Sequence, residues 1–235
     1  MTTTEDRLIG QVLKDEYVIG KYIPVASEKC ELYEAFHVCD SKRKRPMIMK
    51  ISRALENIQT EYQVYKQVAE ELDGKKKDLF VQIFDKIDLG EQRAILMEKG
   101  EDNLRFCLGK KGPYKGEALR SAMKRVIRTV EALHERELVW TEIKAENFVV
   151  KRDGTIKAID LESVIPHGEY LRMYTAEACP PEFPIDDLHR CLPEIRPDIS
   201  FDVWGLGITL FEIATGRPFF KQGLTDLEFI KVRFG

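Results

Sequence analysis

The sequence predicts an α+β fold in two lobes, a five-stranded antiparallel sheet with one helix followed by a mainly helical half. Three observations carry that prediction. Residues 17–51 alternate apolar and polar side chains around short turns, one long amphipathic helix interrupts the strands, and after Gly116 the apolar period lengthens from two residues to between three and four. At 235 residues the chain is long enough for one large domain or two small lobes, each with its own core.

Tyr17-Val18-Ile19, Glu31-Leu32-Tyr33 and Met47-Ile48-Met49 read as the three strands of a meander. Over 54–72, Ile58, Tyr62, Tyr65, Ala69 and Leu72 recur at three- and four-residue steps, so the helix turns one stripe to a core before Asp73-Gly74 ends it. Segments 80–87 and 93–97 read as two more strands, leading to a connector that contains Gly100. The first lobe is placed at 1–98 and the second at 99–235, together one functional domain. In the second lobe Leu119, Met123, Val126, Ile127, Val130 and Leu133 line one face of a helix ending near Arg136. Strands at 148–150 and 155–159 meet at Asp153-Gly154, a hairpin signal. A Pro-rich loop then runs to about Ser200, and 203–215 is an apolar helix closed by Gly216.

Composition narrows the partners. With 43% hydrophobic and 33% charged residues and a net charge of −3, the chain gives no electrostatic reason to expect nucleic acid or an anionic membrane. The longest basic run, Lys42-Arg43-Lys44-Arg45, reads either as a solvated loop or as an import signal or anion patch. The N-terminus has no apolar core of a signal peptide, and no stretch approaches the roughly 18–20 apolar residues of a membrane span. A soluble, cytoplasmic protein is expected, with the basic run leaving a nuclear location open. Cys30, Cys39, Cys107, Cys179 and Cys191 contain no C-x-x-C pair, so reduced, structural thiols are expected.

Phosphoryl transfer is catalysed mainly by positioning and electrostatics, so a site for it gathers positive charge, holds a metal and aligns a hydroxyl. Lys50 ends the apolar strand M-I-M-K, where its stem can be buried while its ammonium meets phosphate oxygens. Glu61, on the next helix, is its candidate ion-pair partner. The run Glu142-Ile143-Lys144-Ala145-Glu146-Asn147 lies between a helix and a hairpin, and Asp160 follows the hairpin. Asn147 and Asp160 would offer oxygen ligands to Mg²⁺. Singly, each such residue is structural more often than catalytic; the ordered set is far more specific.

That ordered set resembles the catalytic domain of eukaryotic protein kinases of the Ser/Thr type over nearly the whole chain. Lys50 and Glu61 resemble the strand lysine and its helix glutamate, and Met97-Glu98-Lys99 the gatekeeper and start of the hinge. W-T-E-I-K-A-E-N at 140–147 is similar to H-R-D-L-K-P-E-N, Asp160-Leu161-Glu162 to D-F-G, Pro180-Pro181-Glu182 to A-P-E, and D-V-W-G-L-G at 202–207 to D-x-W-S-x-G. Within the superfamily, E-Y-Q-V-Y-K at 61–66 and I-K-A-E-N-F at 143–148 are most similar to the casein-kinase-one group, from which Pro-Pro-Glu departs. The resemblance implies a bilobal kinase fold, ATP and Mg²⁺ as cofactors and a protein as substrate or partner. It implies that Ile23, Leu32, Ile48, Lys50, Glu61, Met97, Glu98, Gly100 and Val149 surround the nucleotide. Glu142, Lys144, Asn147 and Asp160 would do the chemistry, with Asn147 and Asp160 on the metal and Lys144 on the transferred phosphoryl group. It also places Asp202 beneath Trp140 and Thr141, accepting their backbone N–H groups, with Trp140 anchored by apolar packing. The front ammonium and the rear oxygen ligands are expected to face each other across a nucleotide-sized cleft.

Several positions depart from the pattern. Residues 23–33 contain no glycine where a G-x-G-x-x-G loop belongs, which weakens the grip of backbone amides on phosphate. Ile48 stands where kinases carry Ala, narrowing the adenine slot. Glu142 replaces the catalytic Asp and moves its carboxylate by about 1 Å, a displacement that costs on the order of 100-fold in rate. Glu162 replaces the Gly of D-F-G and reads either as a third metal ligand or as a solvent-facing or locally paired carboxylate. Thr141 replaces the Arg that clamps an activation-loop phosphate, so phosphorylation of Ser163, Tyr174 or Thr175 is not expected to be an obligatory switch. The helical half stops soon after its apolar helix, by truncation or by abbreviation, before the Arg that would pair with Glu182. Three readings follow: a Ser/Thr kinase of reduced activity, a pseudokinase that holds nucleotide or acts as a scaffold, and a small-molecule phosphotransferase.

Overall fold

A computed structural model describes residues 8–24, 29–183 and 195–220, apart from the side chain of residue 69. These fall into two compact units, one of residues up to 70 with 81–99 and one of 71–80 with 100 onward. Among the described residues no helix is long and apolar enough to cross a membrane.

The first unit is an antiparallel sheet of β1 (Val12–Leu13), β2 (Tyr17–Ile23), β3 (Cys30–His37), β4 (Met47–Ser52), β5 (Ile83–Asp88) and β6 (Arg93–Glu98), in the order β1-β2-β3-β4-β6-β5. The five strands read from the sequence are thus joined by a two-residue strand, β1, whose shortness leaves no periodicity to detect. Alternation in β3, β4 and β6 sends Tyr33, Ala35, Met47, Met49, Ala94 and Leu96 into one core with Tyr17, Ile19, Ile51 and Ile87. Helix α1 (Leu55–Glu71) follows β4 and buries Ile58, Glu61, Val64, Tyr65 and Val68.

Asp73 does more than end α1. Its carboxylate accepts from the N–H groups of Lys75 and Lys76, so it caps a second, one-turn helix α2 (Gly74–Lys77). The expected strand at 80–87 is a strand only from Ile83. Phe80 instead forms an isolated parallel bridge with Ala158, and the Ala158 N–H donates to the Leu79 carbonyl at 2.8 Å. Segment 71–80 therefore packs with the second unit. Leu79, Phe80 and Val81 are all buried, and a short apolar run reads the same as a strand or as extended core chain.

The second unit begins with β7 (Asp102–Asn103) and α3 (Leu104–Lys111), the latter capped by the Asn103 side chain on the Phe106 N–H. Helix α4 (Gly116–His134) buries Ala122, Val126, Thr129, Val130, Ala132 and Leu133. Ile127, assigned to that face from the sequence, is exposed, and Thr129 takes its place by turning its hydroxyl onto the Arg125 carbonyl. Strand β8 (Leu138–Val139) pairs with β11 (Ile165–Pro166), and β9 (Phe148–Val150) lies between β7 and β10 (Ile156–Ala158). The β9–β10 turn is tied by Asp153, whose carboxylate accepts from the Thr155 N–H at 2.9 Å. Helix α5 (Ile199–Thr215) starts four residues earlier than its apolar pattern, because Asp198 caps it through the Ser200 N–H, and stops at Gly216. Residues 184–194 of the Pro-rich loop lie outside the described residues, Cys191 among them.

Candidate active site

In the first unit the strand register gathers the residues picked out in the sequence. Directly paired residues of antiparallel strands share a face. The pairs Ile23–Leu32, Leu32–Lys50 and Ile48–Met97 therefore put Ile23, Leu32, Ile48, Lys50 and Met97 together, opposite the face of Tyr33, Met49 and Leu96. Glu98 does not join them. It pairs with Met47, and both its N–H and its carboxylate are bonded to the main chain of Gln82, at 2.8 and 3.1 Å. Residues 25–28, the middle of the glycine-free segment, lie outside the described residues.

The Lys50 ammonium donates to Glu61 Oε2 at 2.8 Å. Lys50 is 8% and Glu61 0% exposed, so the pair is removed from water. Desolvating two charges cancels much of their attraction, which makes such a pair a poor device for stability. It is a good device for fixing an ammonium in one place.

In the second unit the loop after β8 is fastened from below by Asp202 on α5. Its carboxylate, 1% exposed, accepts from the Trp140 N–H at 2.8 Å and the Thr141 N–H at 2.7 Å, and contacts His134 Nε2 at 2.8 Å. The expectation for Asp202 is met. Close approach is possible because α5 has Gly205, where a Cβ would lie 2.7 Å from the Ile143 carbonyl oxygen. Trp140 does pack, edge-on to Phe148 with ring centroids 5.4 Å apart, and it also does what packing alone does not: its indole N–H donates to the Asp160 carbonyl at 3.2 Å. Thr141 is held at φ 62°, a strained conformation for a β-branched residue. Its hydroxyl donates to the Ser163 carbonyl and the Ser163 hydroxyl donates to the Trp140 carbonyl, at 3.1 and 2.7 Å. Ser163 is therefore buried and occupied, which removes it from the residues open to phosphorylation in this conformation.

On top of this frame sit the chemical groups. Lys144 Nζ donates to Glu142 Oε1 at 2.8 Å and to the Thr175 hydroxyl at 2.9 Å, and that hydroxyl in turn donates to Glu142. Thr175, read from the sequence only as a phosphate acceptor, is thus part of the group. Asn147 Nδ2 donates to the Glu142 carbonyl at 2.9 Å, which fixes the amide and leaves Oδ1 as its ligand atom. The Ile159 N–H donates to the Asn147 carbonyl at 2.9 Å, so the main chain enters Asp160 directly from Asn147, and Asp160 adopts φ 61°. Two hard oxygen donors, an amide and a carboxylate, suit Mg²⁺. Glu162 is half-buried. Gly100 lies against Val149, where a Cβ would come 2.5 Å from the valine Cβ; only glycine permits that contact. Glu182 of the Pro-Pro-Glu stretch is exposed.

Sequence reasoning missed one charged cluster altogether. The Arg105 guanidinium, on α3, contacts Glu146, Glu177 and Glu212 at 2.5, 2.6 and 2.7 Å. Burial pushes the Glu212 and Glu146 carboxyls above their ordinary range against the pull of Arg105, and the carboxylates raise Arg105 still further above its own. A lone arginine in the first turn of a short helix carries no sequence signal for such a role.

Comparison with known proteins agrees with this geometry. The model of the protein kinase domain family matches residues 32–233. RAC-beta serine/threonine-protein kinase of Homo sapiens is 29% identical over 125 residues, covering 50% of this chain and 24% of that protein. A probable cAMP-dependent protein kinase catalytic subunit of Encephalitozoon cuniculi is 26% identical over 144 residues, covering 61% and 43%. Serine/threonine-protein kinase pim-2 of Danio rerio is 28% identical over 154 residues, covering 61% and 45%. The chain thus spans between a quarter and a half of the length of these relatives. A solved crystal structure of a kinase domain superposes with a TM-score of 0.75 at 16% identity, covering 97% of this chain and 71% of the other.

Proposed function

The chain belongs to the protein kinase domain family, and we propose that it is a Ser/Thr protein kinase domain of reduced activity, transferring the γ-phosphoryl group of ATP to a protein hydroxyl with Mg²⁺. The observation that carries this reading is the buried Lys50–Glu61 pair, a charge fixed at a cost in desolvation that stability alone does not explain. Lys50 would hold phosphate oxygens and Glu61 would hold Lys50. Asn147 and Asp160 would hold Mg²⁺, which when bound neutralises charge on the phosphates.

Glu142 acts on the acceptor. The substrate hydroxyl oxygen bonds to the γ-phosphorus as the bond to the β–γ bridging oxygen breaks, ADP leaves, and the hydroxyl proton passes to the Glu142 carboxylate. Lys144 and Thr175 keep that carboxylate in one orientation, which offsets part of the misplacement introduced by the extra methylene. Asp202, Trp140 and Ser163 hold the loop beneath it.

A second reading is a nucleotide-binding scaffold, favoured by the absence of glycine from 23–33 and by Ile48. Substituting Glu142→Asp separates the two. A gain in transfer rate of the order of 10- to 100-fold supports a competent site limited by one carboxylate; an unchanged, negligible rate supports the scaffold.

A further inference from the structure

The three carboxylates around Arg105 come from three different elements, each of which also carries part of the chemical group. Glu146 lies in the turn Ala145–Asn147, next to Asn147 and two residues from Lys144. Glu212 is on α5, the helix that holds Asp202. Glu177 lies inside a tight turn, in which the N–H groups of Ala178 and Cys179 both donate to the Thr175 carbonyl, at 2.9 and 3.1 Å. That turn makes residues 175–177 a short lever with Glu177 at one end and Thr175 at the other.

Arg105 grips the lever through two parallel bonds, Nη1 to Glu177 Oε2 at 3.0 Å and Nη2 to Glu177 Oε1 at 2.6 Å. It is itself fixed by two bonds to Glu212, from Nε at 3.1 Å and Nη2 at 2.7 Å, and Nη1 also meets Glu146. The paired geometry sets direction as well as distance, which a lysine at this position lacks. With Arg105 and Glu212 only 11% and 1% exposed at the side chain, solvent does little to loosen the arrangement.

We propose that Arg105 is a positioning residue for phosphoryl transfer, holding the Thr175 hydroxyl against Glu142 and Lys144 by way of the Glu177 carboxylate. This rests on the kinase reading for its catalytic consequence, though not for the geometry. Arg105 touches none of the reacting groups; it fixes where the base points by fixing the turn that caps it. The sequence separations, 72 residues to Glu177 and 107 to Glu212, make it a tie between parts of the chain that no local interaction connects.

The test uses the full chain and four variants. Glu177→Gln keeps the shape of the lever and removes its charge, Thr175→Val removes the hydroxyl, and the third variant carries both. Arg105→Lys is a check that keeps the charge and loses the fork, avoiding the buried Glu212 carboxylate that Arg105→Ala would leave without its cation. With Mg-ATP and a Ser/Thr peptide pool, Glu177→Gln and Thr175→Val are each expected to lower kcat about tenfold with KM for ATP within about twofold, and the double variant to be no slower than Thr175→Val. Independent, multiplying losses would overturn the proposal. Hydrogen exchange of the Ala178 and Cys179 amides is read alongside, because it needs no turnover. In Glu177→Gln and Arg105→Lys their protection is expected to fall about tenfold while the α4 amides stay unchanged. Unchanged protection at Ala178 and Cys179 in folded variants would overturn the proposal, whereas a wild type that transfers no phosphate, with the loss of protection still seen in the variants, would overturn the kinase reading and leave the lever standing.

Discussion

The two units keep their charged groups in place by different means. In the first, an ammonium and a carboxylate, Lys50 on β4 and Glu61 on α1, are buried together as an ion pair. In the second, the loop at 140–147 is tied by Asp202, by the crossed hydroxyls of Thr141 and Ser163, by the Trp140 indole and by the Arg105 cluster. Three of the residues that depart from the kinase pattern fall where bonding is distributed. Trp140, Thr141 and Glu142 replace His, Arg and Asp, and each has found a partner in the frame; Lys50 and Glu61 match the pattern.

The largest effect should come from the buried ion pair. Lys50→Ala leaves the Glu61 carboxylate buried without its cation and is expected to cost roughly 3–5 kcal/mol in urea unfolding. A cost below about 1 kcal/mol would mean that Glu61 is supported as redundantly as the loop at 140–147. Asp202→Ala comes next, since it removes the hub and leaves the Trp140 and Thr141 N–H groups buried; with about 1–3 kcal/mol for each orphaned donor, roughly 2–4 kcal/mol is expected after relaxation. Single spokes should matter less. Trp140→Phe keeps the ring packing and loses the bond to the Asp160 carbonyl, for about 1 kcal/mol, and a loss as large as that of Asp202→Ala would show that the bonds around the loop are not distributed.

The smallest expected effect is a pH dependence. Burial raises the folded-state pKa of Glu212 above its unfolded value. The proton is held more tightly in the folded chain, so this group contributes stability below the ordinary glutamate range that is lost as pH rises through the raised value. The melting temperature of the wild type relative to Glu212→Gln should therefore decline between mildly acidic and neutral pH. A difference that grows over the same interval would mean that Arg105 outweighs burial at this carboxyl.

Much of this was legible in the sequence, and for physical reasons. Strands β2, β3, β4 and β6 show in apolar positions at a two-residue step because one face of the sheet is core, and α4 and α5 announce themselves by apolar period and by length. The chemical residues stand in fixed order, so Lys50, Glu142, Asn147 and Asp160 could be picked out together. The helix α3 could not be, since its eight residues bury only Leu104, Cys107 and Leu108 and its cap is a single Asn103. Nor could the transfer of 71–80 to the second unit, which depends on Arg125 reaching Asp78 and on Leu79 bonding Ala158. Thr175 and Arg105 were illegible for a stronger reason: their partners lie tens of residues away, and only the folded chain brings a hydroxyl or a guanidinium to them.

The account stands most directly on transfer of labelled γ-phosphate from ATP to the protein itself or to a Ser/Thr peptide pool, with Mg²⁺ and with Lys50→Ala as the control. It predicts slow incorporation on serine or threonine that disappears on removing Mg²⁺ and in Lys50→Ala. Incorporation by the folded wild type no greater than by Lys50→Ala would contradict it.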